Sequence, residues 1–222
     1  QEMGNLRICI KNLSNLNQYT IVLLLIIIDN ASPGPNDLHF SVGTLTSEVV
    51  EGDVFFEIIY PEELGYTYRI RPALDFGAPF NVSMQFKHVK LVPTIPRHGC
   101  SNILNSEEIA GHIALTERGE CTFILKSFNA QKAGARALIV TEARTKPEES
   151  LEFLIEMVDD SKNLEVDIPT GFLMGRNGAK ILNTLSQLHL NHAIINMPVN
   201  VSNVPIHKIN QPPWIQWVLG LC

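Results

Sequence analysis

The sequence has no excess of positive charge and lacks the short motifs of several common enzymes. Its 17 Lys and Arg residues stand against 23 Asp and Glu residues, which gives a formal net charge of −6. A protein whose main task is to hold nucleic acid needs a basic face, so this balance argues against that class. The G-x-S-x-G, G-x-x-x-x-G-K and H-E-x-x-H motifs are also missing from the sequence.

The longest apolar run is too short to cross a membrane. Ile21–Ile28 holds 8 residues, whereas a spanning helix needs about 20. The run follows a polar segment that contains Arg7 and Lys11, and this order is typical of a secretory signal peptide. We therefore predict a leader over residues 1–31, secretion to the extracellular space and no membrane span. The competing interpretation is a buried strand, because Ile and Val favour strands.

Cysteines are few, and none has zinc-finger or C-x-x-C spacing. Cys9 precedes the apolar run and Cys222 is the last residue, so Cys100 and Cys121 are the pair inside the predicted fold. A disulfide between these two is expected if the compartment is oxidising, as the leader indicates. Cys222 is then an odd thiol that can link two chains into a dimer.

The alternative is a reactive thiol. A thiol hydrolase would use Cys100 beside His98, or Cys121 with His112, since nucleophilic cysteine needs a setting that favours the thiolate. The 7 histidines are scattered without the spacing of metal ligands. We predict no catalytic residue, no metal site and no cofactor.

Strand signals dominate both sides of the chain's centre. Val54–Tyr60 and Tyr66–Ile70 are rich in β-branched and aromatic residues, and they predict a hairpin. Phe86–Val92 predicts a further strand. Later segments predict strands at Ile168–Met174 and Ala193–Asn196, and a helix that begins at Asn177 lies between them.

The central stretch, Gly111–Val140, predicts a compact β-α-β unit. Ile113–Thr116 is the first strand, Thr122 can cap the helix that follows, and Gly134 can end that helix. Ala137–Val140 supplies the second strand. Such a unit cannot bury both of its faces alone, so the remaining chain should complete a core around it.

The predicted central helix has two apolar sides. Helical spacing puts Phe123, Ala130 and Ala133 on the side that approaches the sheet, and it puts Ile124, Leu125 and Phe128 on another. That second side either packs under the segment Thr141–Asp167 or is a partner surface. The segment carries nine acids against three bases, and it predicts an exposed loop with a partly buried middle. Its oxygen ligands would suit calcium, but the EF-hand spacing is missing.

Several short pieces, taken together, resemble the protease-associated domain family. They are Cys100, Ile113-Ala114-Leu115, Arg118-Gly119-Glu120-Cys121-x-Phe123, Lys126, Asn129-Ala130, Ala133-Gly134-Ala135, Ala137–Val140, Asp167-Ile168-Pro169, Phe172–Met174 and Asn177-Gly178. The resemblance implies an α/β (α+β) fold, with a mixed β-sheet, an open barrel-like core and two main helices. It places one such domain at residues 37–200, with an N-terminal strand extension, ahead of an extended tail at residues 201–222.

The same resemblance implies a secreted glycoprotein without a catalytic domain, which binds another protein. Sugar is expected at the Asn-x-Ser sites Asn30, Asn81 and Asn200. A partner surface is expected at Leu125, Phe128, Glu152, Glu156, Asp159 and Asp160. The alternatives are an accessory insert of a protease, the thiol hydrolase above, and a sorting factor of the secretory pathway.

Overall fold

The computed structural model describes residues 45–49, 52–80, 84–142, 155–158, 164–173, 175–201 and 204–219. Within these ranges the strands are β1 (Leu45–Val49), β2 (Val54–Tyr60), β3 (Thr67–Pro72), β4 (Phe86–Pro93), β5 (Ile113–Glu117), β6 (Ala137–Thr141), β7 (Thr170–Leu173), β8 (Ala193–Met197) and β9 (Ile215–Leu219). The α-helices are α1 (Ser106–Ile109), α2 (Phe123–Lys132) and α3 (Gly175–Gln187). Short 3-10 turns lie at Glu62–Leu64 and Ile206–Lys208.

Seven strands form a closed barrel in the order β2-β3-β7-β6-β5-β4-β8. The strands β4, β5, β6 and β7 pair in parallel, as β-α-β connections require. Antiparallel pairs join β2 to β3 and β3 to β7, and β8 closes the barrel by pairing with both β2 and β4. The mixed sheet around a barrel-like core, with two main helices, is therefore confirmed, but the barrel is closed where an open one was predicted, because β8 pairs with strands on both of its sides.

Strands β1 and β9 form a separate parallel pair outside the barrel. The tail, which was predicted to be extended, contains β9 and the 3-10 turn Ile206–Lys208. Trp214 and Ile215 pack with Phe55 of β2, and Trp214 Nε1 donates a hydrogen bond to Asn177 Oδ1 at 2.8 Å. These contacts join the tail to the barrel and to α3.

The central β-α-β unit forms where its local signals predict it. The Thr122 hydroxyl accepts a hydrogen bond from the Leu125 amide at 3.3 Å, which satisfies one of the free donors at the start of α2. Gly134 follows the end of the helix with φ of 82°, a conformation that a side chain resists. Strands β5 and β6 then pair in register from Ile113 and Ala137 onwards.

Two apolar clusters lie on the two faces of the barrel wall. The inner cluster takes side chains from all seven barrel strands and from Ile181, Leu182 and Leu185 of α3. The outer cluster lies between the strands and α2, and it includes Ile124 and Ala130. Ile124 is 1% exposed. Ile124 therefore packs in the same cluster as Met157 of the acidic segment, whereas Leu125 and Phe128, on the same side of α2, stay half-buried.

Helix α3 lies very close to β6 at Gly178. A Cβ atom at this position would come within 1.8 Å of Thr141 Oγ1 and 2.5 Å of Thr141 Cβ. The Thr141 hydroxyl also donates a hydrogen bond to the Leu173 carbonyl at 3.1 Å, so its side chain is fixed in the contact. The helix begins at Gly175, two residues before the predicted start.

The predicted leader, residues 1–31, lies outside the described residues, as do Cys9 and Cys222. Within the described residues, no helix combines the length and the apolar character needed to cross a membrane.

Replacing Gly178 with Ala tests the contact between α3 and β6. Although Ala favours helix by about 1 kcal/mol over Gly, we expect the change to lower the free energy of unfolding by roughly 1–3 kcal/mol, the usual cost of overpacking. Denaturant unfolding measures this. Asn183→Ala, at an exposed position of the same helix, should have little effect. Equal or greater stability of Gly178→Ala would contradict the close contact.

Candidate functional site

Two loops meet at the end of the barrel where β4 and β5 finish. One contains His98 and Cys100 and the other contains Glu120 and Cys121, and together we call them the disulfide loops. A disulfide joins Cys100 to Cys121, with the two Cα atoms 5.8 Å apart. The predicted pairing is therefore present in the structure. The hypothesis of a thiol hydrolase fails, because a sulfur in a disulfide offers no thiolate for attack.

Lys126, in α2, connects the helix to both disulfide loops. Its side chain is fully buried. The ammonium donates to the carbonyls of His98 at 2.5 Å and Gly119 at 2.7 Å, and it lies 3.3 Å from Cys100 Sγ. An ammonium has three donors, and these three atoms are all acceptors. Burial lowers the pKa of Lys126 to about 8, while the charges of Glu120 and Glu117 act in the opposite direction.

Two further side chains fix the loops. Asn129 of α2 donates to the carbonyl of Gly99 at 2.9 Å, and Arg118 pairs with the carboxylate of Glu142 at 3.0 Å. The loops are thus held at the helix, at each other and at the end of β6.

His98 and Glu120 face each other at the surface of the loops. His98 Nδ1 accepts a hydrogen bond from the Cys100 amide at 3.0 Å, so in the neutral ring the proton is on Nε2. Nε2 lies 3.4 Å from Glu120 Oε2. In the described part of the chain, His98, Cys100 and Glu120 bring three atoms of metal-ligand type within 4.8 Å of one another. The sulfur is part of the disulfide, and metals bind the thiolate, so this group does not fit a metal.

The sequence alone assigned no role to Lys126 or Asn129. Both occur in the pieces that resemble the protease-associated domain, but their partners are backbone carbonyls in a loop 28 and 30 residues away. A lysine inside the apolar face of a short helix was the available signal, because a lysine is almost never fully buried unless it is paired.

The predicted partner surface is partly described. Leu125 and Phe128 are half-buried on α2, and Glu156 is exposed. Next to Glu156, Met157 is buried in the outer cluster, which agrees with a loop whose middle is partly buried. Glu152, Asp159 and Asp160 lie outside the described residues.

The predicted glycosylation sites are also only partly described. Asn200 is exposed just after β8, and Asn30 and Asn81 lie outside the described residues.

Comparison with known proteins identifies the family. The family model of the PA domain, the protease-associated domain, matches residues 87–181. The "PRADC1-like protein" of Drosophila melanogaster is 46% identical over 177 residues, which cover 80% of this chain and 89% of that protein. The chain belongs to the PA domain family. The resemblance inferred from the sequence pieces is thus confirmed.

More distant matches cover a smaller share of this chain. The "ER degradation-enhancing alpha-mannosidase-like protein 3" of Xenopus laevis is 39% identical over 93 residues, which are 41% of this chain and 10% of that protein. Among solved structures, a zinc aminopeptidase from Bacillus subtilis matches with a TM-score of 0.42 and 20% identity, over 65% of this chain and 29% of the aminopeptidase.

Removing the disulfide should destabilise the PA domain. The double variant Cys100→Ser, Cys121→Ser is expected to lose about 3 kcal/mol of unfolding free energy, because the unfolded chain is no longer constrained by the loop. Denaturant unfolding measures this, with Ser101→Ala, an exposed change in the same loop, as the control. In the native protein both cysteines should resist alkylation, and free alkylation would contradict the pairing.

The lowered pKa of Lys126 predicts a pH dependence of stability. The lysine has a pKa of about 8 in the folded protein, whereas its ordinary pKa, expected for the unfolded chain, is 10.5. Above the folded value, the unfolded chain binds more protons, so stability rises with pH. Relative to Lys126→Met, the native protein should gain about 1 kcal/mol between about pH 7 and pH 9.

Denaturant unfolding at the two pH values provides the measurement. Lys132→Met changes an exposed lysine at the end of the same helix, and its difference from the native protein should stay constant with pH. If the difference for Lys126→Met is also constant, the three acceptors offset the burial of the ammonium completely and the shift is absent.

Proposed function

We propose that this chain is a secreted, non-enzymatic glycoprotein whose PA domain binds another protein. The proposal rests on one observation: the polar groups in and beside the disulfide loops bind to one another and to the backbone. Cys100 and Cys121 are bonded to each other, and Lys126 and Asn129 donate to backbone carbonyls. These groups support the backbone from inside. Such an arrangement suits a rigid binding surface better than proton transfer or nucleophilic attack.

The surface that this framework supports is the outward side of α2. Leu125 and Phe128 are half-buried there, on a helix fixed at its start by the Thr122 cap and by Lys126. Half-buried apolar side chains on a rigid element are typical anchors of a protein interface.

The acidic segment adds the polar part of the proposed surface. Met157 is buried in the same outer cluster as α2, and this fixes the neighbouring Glu156 in an exposed position. Glu152, Asp159 and Asp160, which belong to the predicted partner surface, flank Glu156 in the sequence. We propose that the partner presents an apolar contact for α2, with basic groups around it.

Two features support secretion and glycosylation. Disulfides form and persist in oxidising compartments, and the Cys100–Cys121 bond stabilises this fold. Asn200, in an Asn-Val-Ser sequence, is exposed, so a sugar there would extend into solvent. The name of the Xenopus relative associates that protein with the ER, which agrees with a secretory pathway for this chain.

A capture experiment with matched variants tests the interaction. The protein is produced by secretion from animal cells, its intact mass and glycopeptides are measured, and it is cross-linked to proteins of a secretory-pathway extract. We expect a specific partner with the native protein and its loss with Leu125→Glu, Phe128→Glu. Leu74→Glu changes an equally apolar side chain that is 80% exposed elsewhere, and it should retain the partner.

Each arm of this experiment has a decisive outcome. Retention of every captured protein by Leu125→Glu, Phe128→Glu would place the interface elsewhere. Capture of nothing by correctly glycosylated native protein would contradict the binding role. Secreted material without sugar on Asn200 would contradict glycosylation at that site.

A further inference from the structure

Four basic side chains lie close together on the barrel, at the level where β5, β6 and β8 begin. Each belongs to a different strand or directly precedes it, on the neighbouring strands β8, β4, β5 and β6. The residues are Lys90, His112, Arg136 and His192, and we call them the basic cluster. His112 and Arg136 precede the starts of parallel strands, whereas Cys100 and Cys121 follow strand ends.

The strand register places these four residues next to one another along the barrel wall. Each comes one residue before a member of the inner cluster, and those members pair with one another across the strands: Leu91 with Ile113 and Ala193, and Ile113 with Ala137. Each of the four therefore lies one residue from this level, and the side chain of Lys90, within β4, points to the outer face of the wall.

The charges of the cluster act on one another. Desolvation is the main cause of a lowered pKa at both histidines. Lys90 and Arg136 lower the pKa of His112 further, and Lys90 and His112 do the same to His192. The acid that opposes this at His192 is Glu108, on α1. The cluster therefore holds two permanent positive charges and two groups that become positive when the pH falls.

Hydrogen bonds fix His192 with one ring nitrogen occupied. Asn191 Nδ2 donates to Glu108 Oε2 at 2.9 Å, so Asn191 Oδ1 faces His192 Nδ1, at 2.6 Å. An amide oxygen only accepts, so Nδ1 carries a proton, and Nε2 is the nitrogen that titrates. One carboxylate oxygen of Glu108 thus already accepts a hydrogen bond from Asn191.

His112 carries a buried ring nitrogen that lacks a hydrogen-bond partner among the described residues, Nδ1. Its backbone is fixed, because its amide donates to the Ile109 carbonyl at 2.9 Å and its carbonyl accepts from the Arg136 amide at 2.8 Å. Protonation of this ring needs either an acceptor or a nearby negative charge.

Arg136 and Lys90 offer the donors that such a charge requires. The Arg136 guanidinium lies over the Phe86 ring, 4.6 Å from its centroid, and this cation–π contact holds it close to the ring. A guanidinium offers paired N–H groups to an oxyanion, and a lysine adds a mobile ammonium.

We propose that the basic cluster binds a tetrahedral oxyanion, a sulfate or phosphate group, and binds it more tightly as His112 and His192 become protonated. The anion offsets the repulsion among the four groups, so it raises the pKa of both histidines. By linkage, protonation of the histidines raises the affinity for the anion. The affinity changes about tenfold for each unit by which the anion raises a histidine pKa.

An NMR pH titration of the histidine rings tests this with the full glycosylated chain. One series contains sodium sulfate, and the other contains sodium chloride at the same ionic strength. Sulfate is the probe because its own charge does not change over the pH range in which histidines titrate. We expect sulfate to raise the pKa of His112 and His192 by about 0.5 unit or more. His207, on the 3-10 turn Ile206–Lys208, is the reference ring outside the cluster.

A pair of lysine variants separates the cluster from the general surface charge. Lys90→Gln removes a like charge, so in chloride it should raise the pKa of both histidines, and it should weaken sulfate binding about tenfold. Lys132→Gln removes an exposed charge from α2 and should change neither quantity. Arg136→Gln serves as a second variant of the cluster if Lys90→Gln is not folded.

Three results would overturn the proposal. Equal histidine pKa values in sulfate and chloride mean that no anion binds. An equal effect of Lys90→Gln and Lys132→Gln on sulfate binding means that the general charge of the surface is responsible. A shift with sodium acetate as large as that with sulfate means that the cluster does not select a tetrahedral oxyanion.

Discussion

The backbone hydrogen bonds of β8 hold the two halves of the barrel together. This strand pairs antiparallel with β2, from the N-terminal hairpin, and with β4, from the β-α-β part of the chain. Asn196 connects the same strands through its side chain, since Oδ1 accepts from the His88 amide at 2.9 Å and Nδ2 donates to Glu57 Oε1 at 2.8 Å. His88 lies at an irregularity of β4 with φ of 52°. Asn196 thus satisfies a backbone donor that the regular ladder does not reach.

The closed barrel carries two polar regions of different kinds. At one end, a disulfide and a buried ammonium tie two loops to the start of α2, so the backbone there keeps one conformation. Where β5, β6 and β8 begin, side chains of like charge lie close together, and their repulsion is left partly unopposed. The disulfide loops therefore form a rigid framework, whereas the unopposed charge of the basic cluster is typical of a binding site.

The sequence predicts the elements of this fold whose signals are local. Thr122 and Gly134 mark the ends of α2, and β-branched runs mark the strands. It does not predict the features that depend on distant partners. The contact of Asn196 with Glu57 joins residues 139 positions apart, and no local pattern indicates it. Helical spacing predicts the side of α2 that carries Ile124, but it does not predict that Met157, from a distant segment, shares a cluster with this residue.

In the candidate site, too, the sequence predicts some features and misses those that depend on distant partners. The pairing of Cys100 with Cys121 was predictable because Cys9 and Cys222 lie outside the predicted fold and leave these two as the pair within it. The role of Lys126 was not, because its acceptors are main-chain carbonyls, which have no signature in the sequence. The basic cluster was missed for a related reason. Its members are scattered from position 90 to position 192, and only the register of four strands brings them together.

Glu120 is subject to two opposing demands. Its φ of 66° is a conformation in which glycine is comfortable and a long side chain is not. Its carboxylate, however, is the group that faces His98 Nε2. Glycine at this position would relax the main chain and remove the acid, whereas a shorter acid or amide would keep a polar oxygen and tolerate the turn better. The residue at this position must therefore suit both the loop geometry and the surface charge. Among related sequences, we expect either glycine, which suits the main chain, or a short acid or amide, which keeps the polar oxygen.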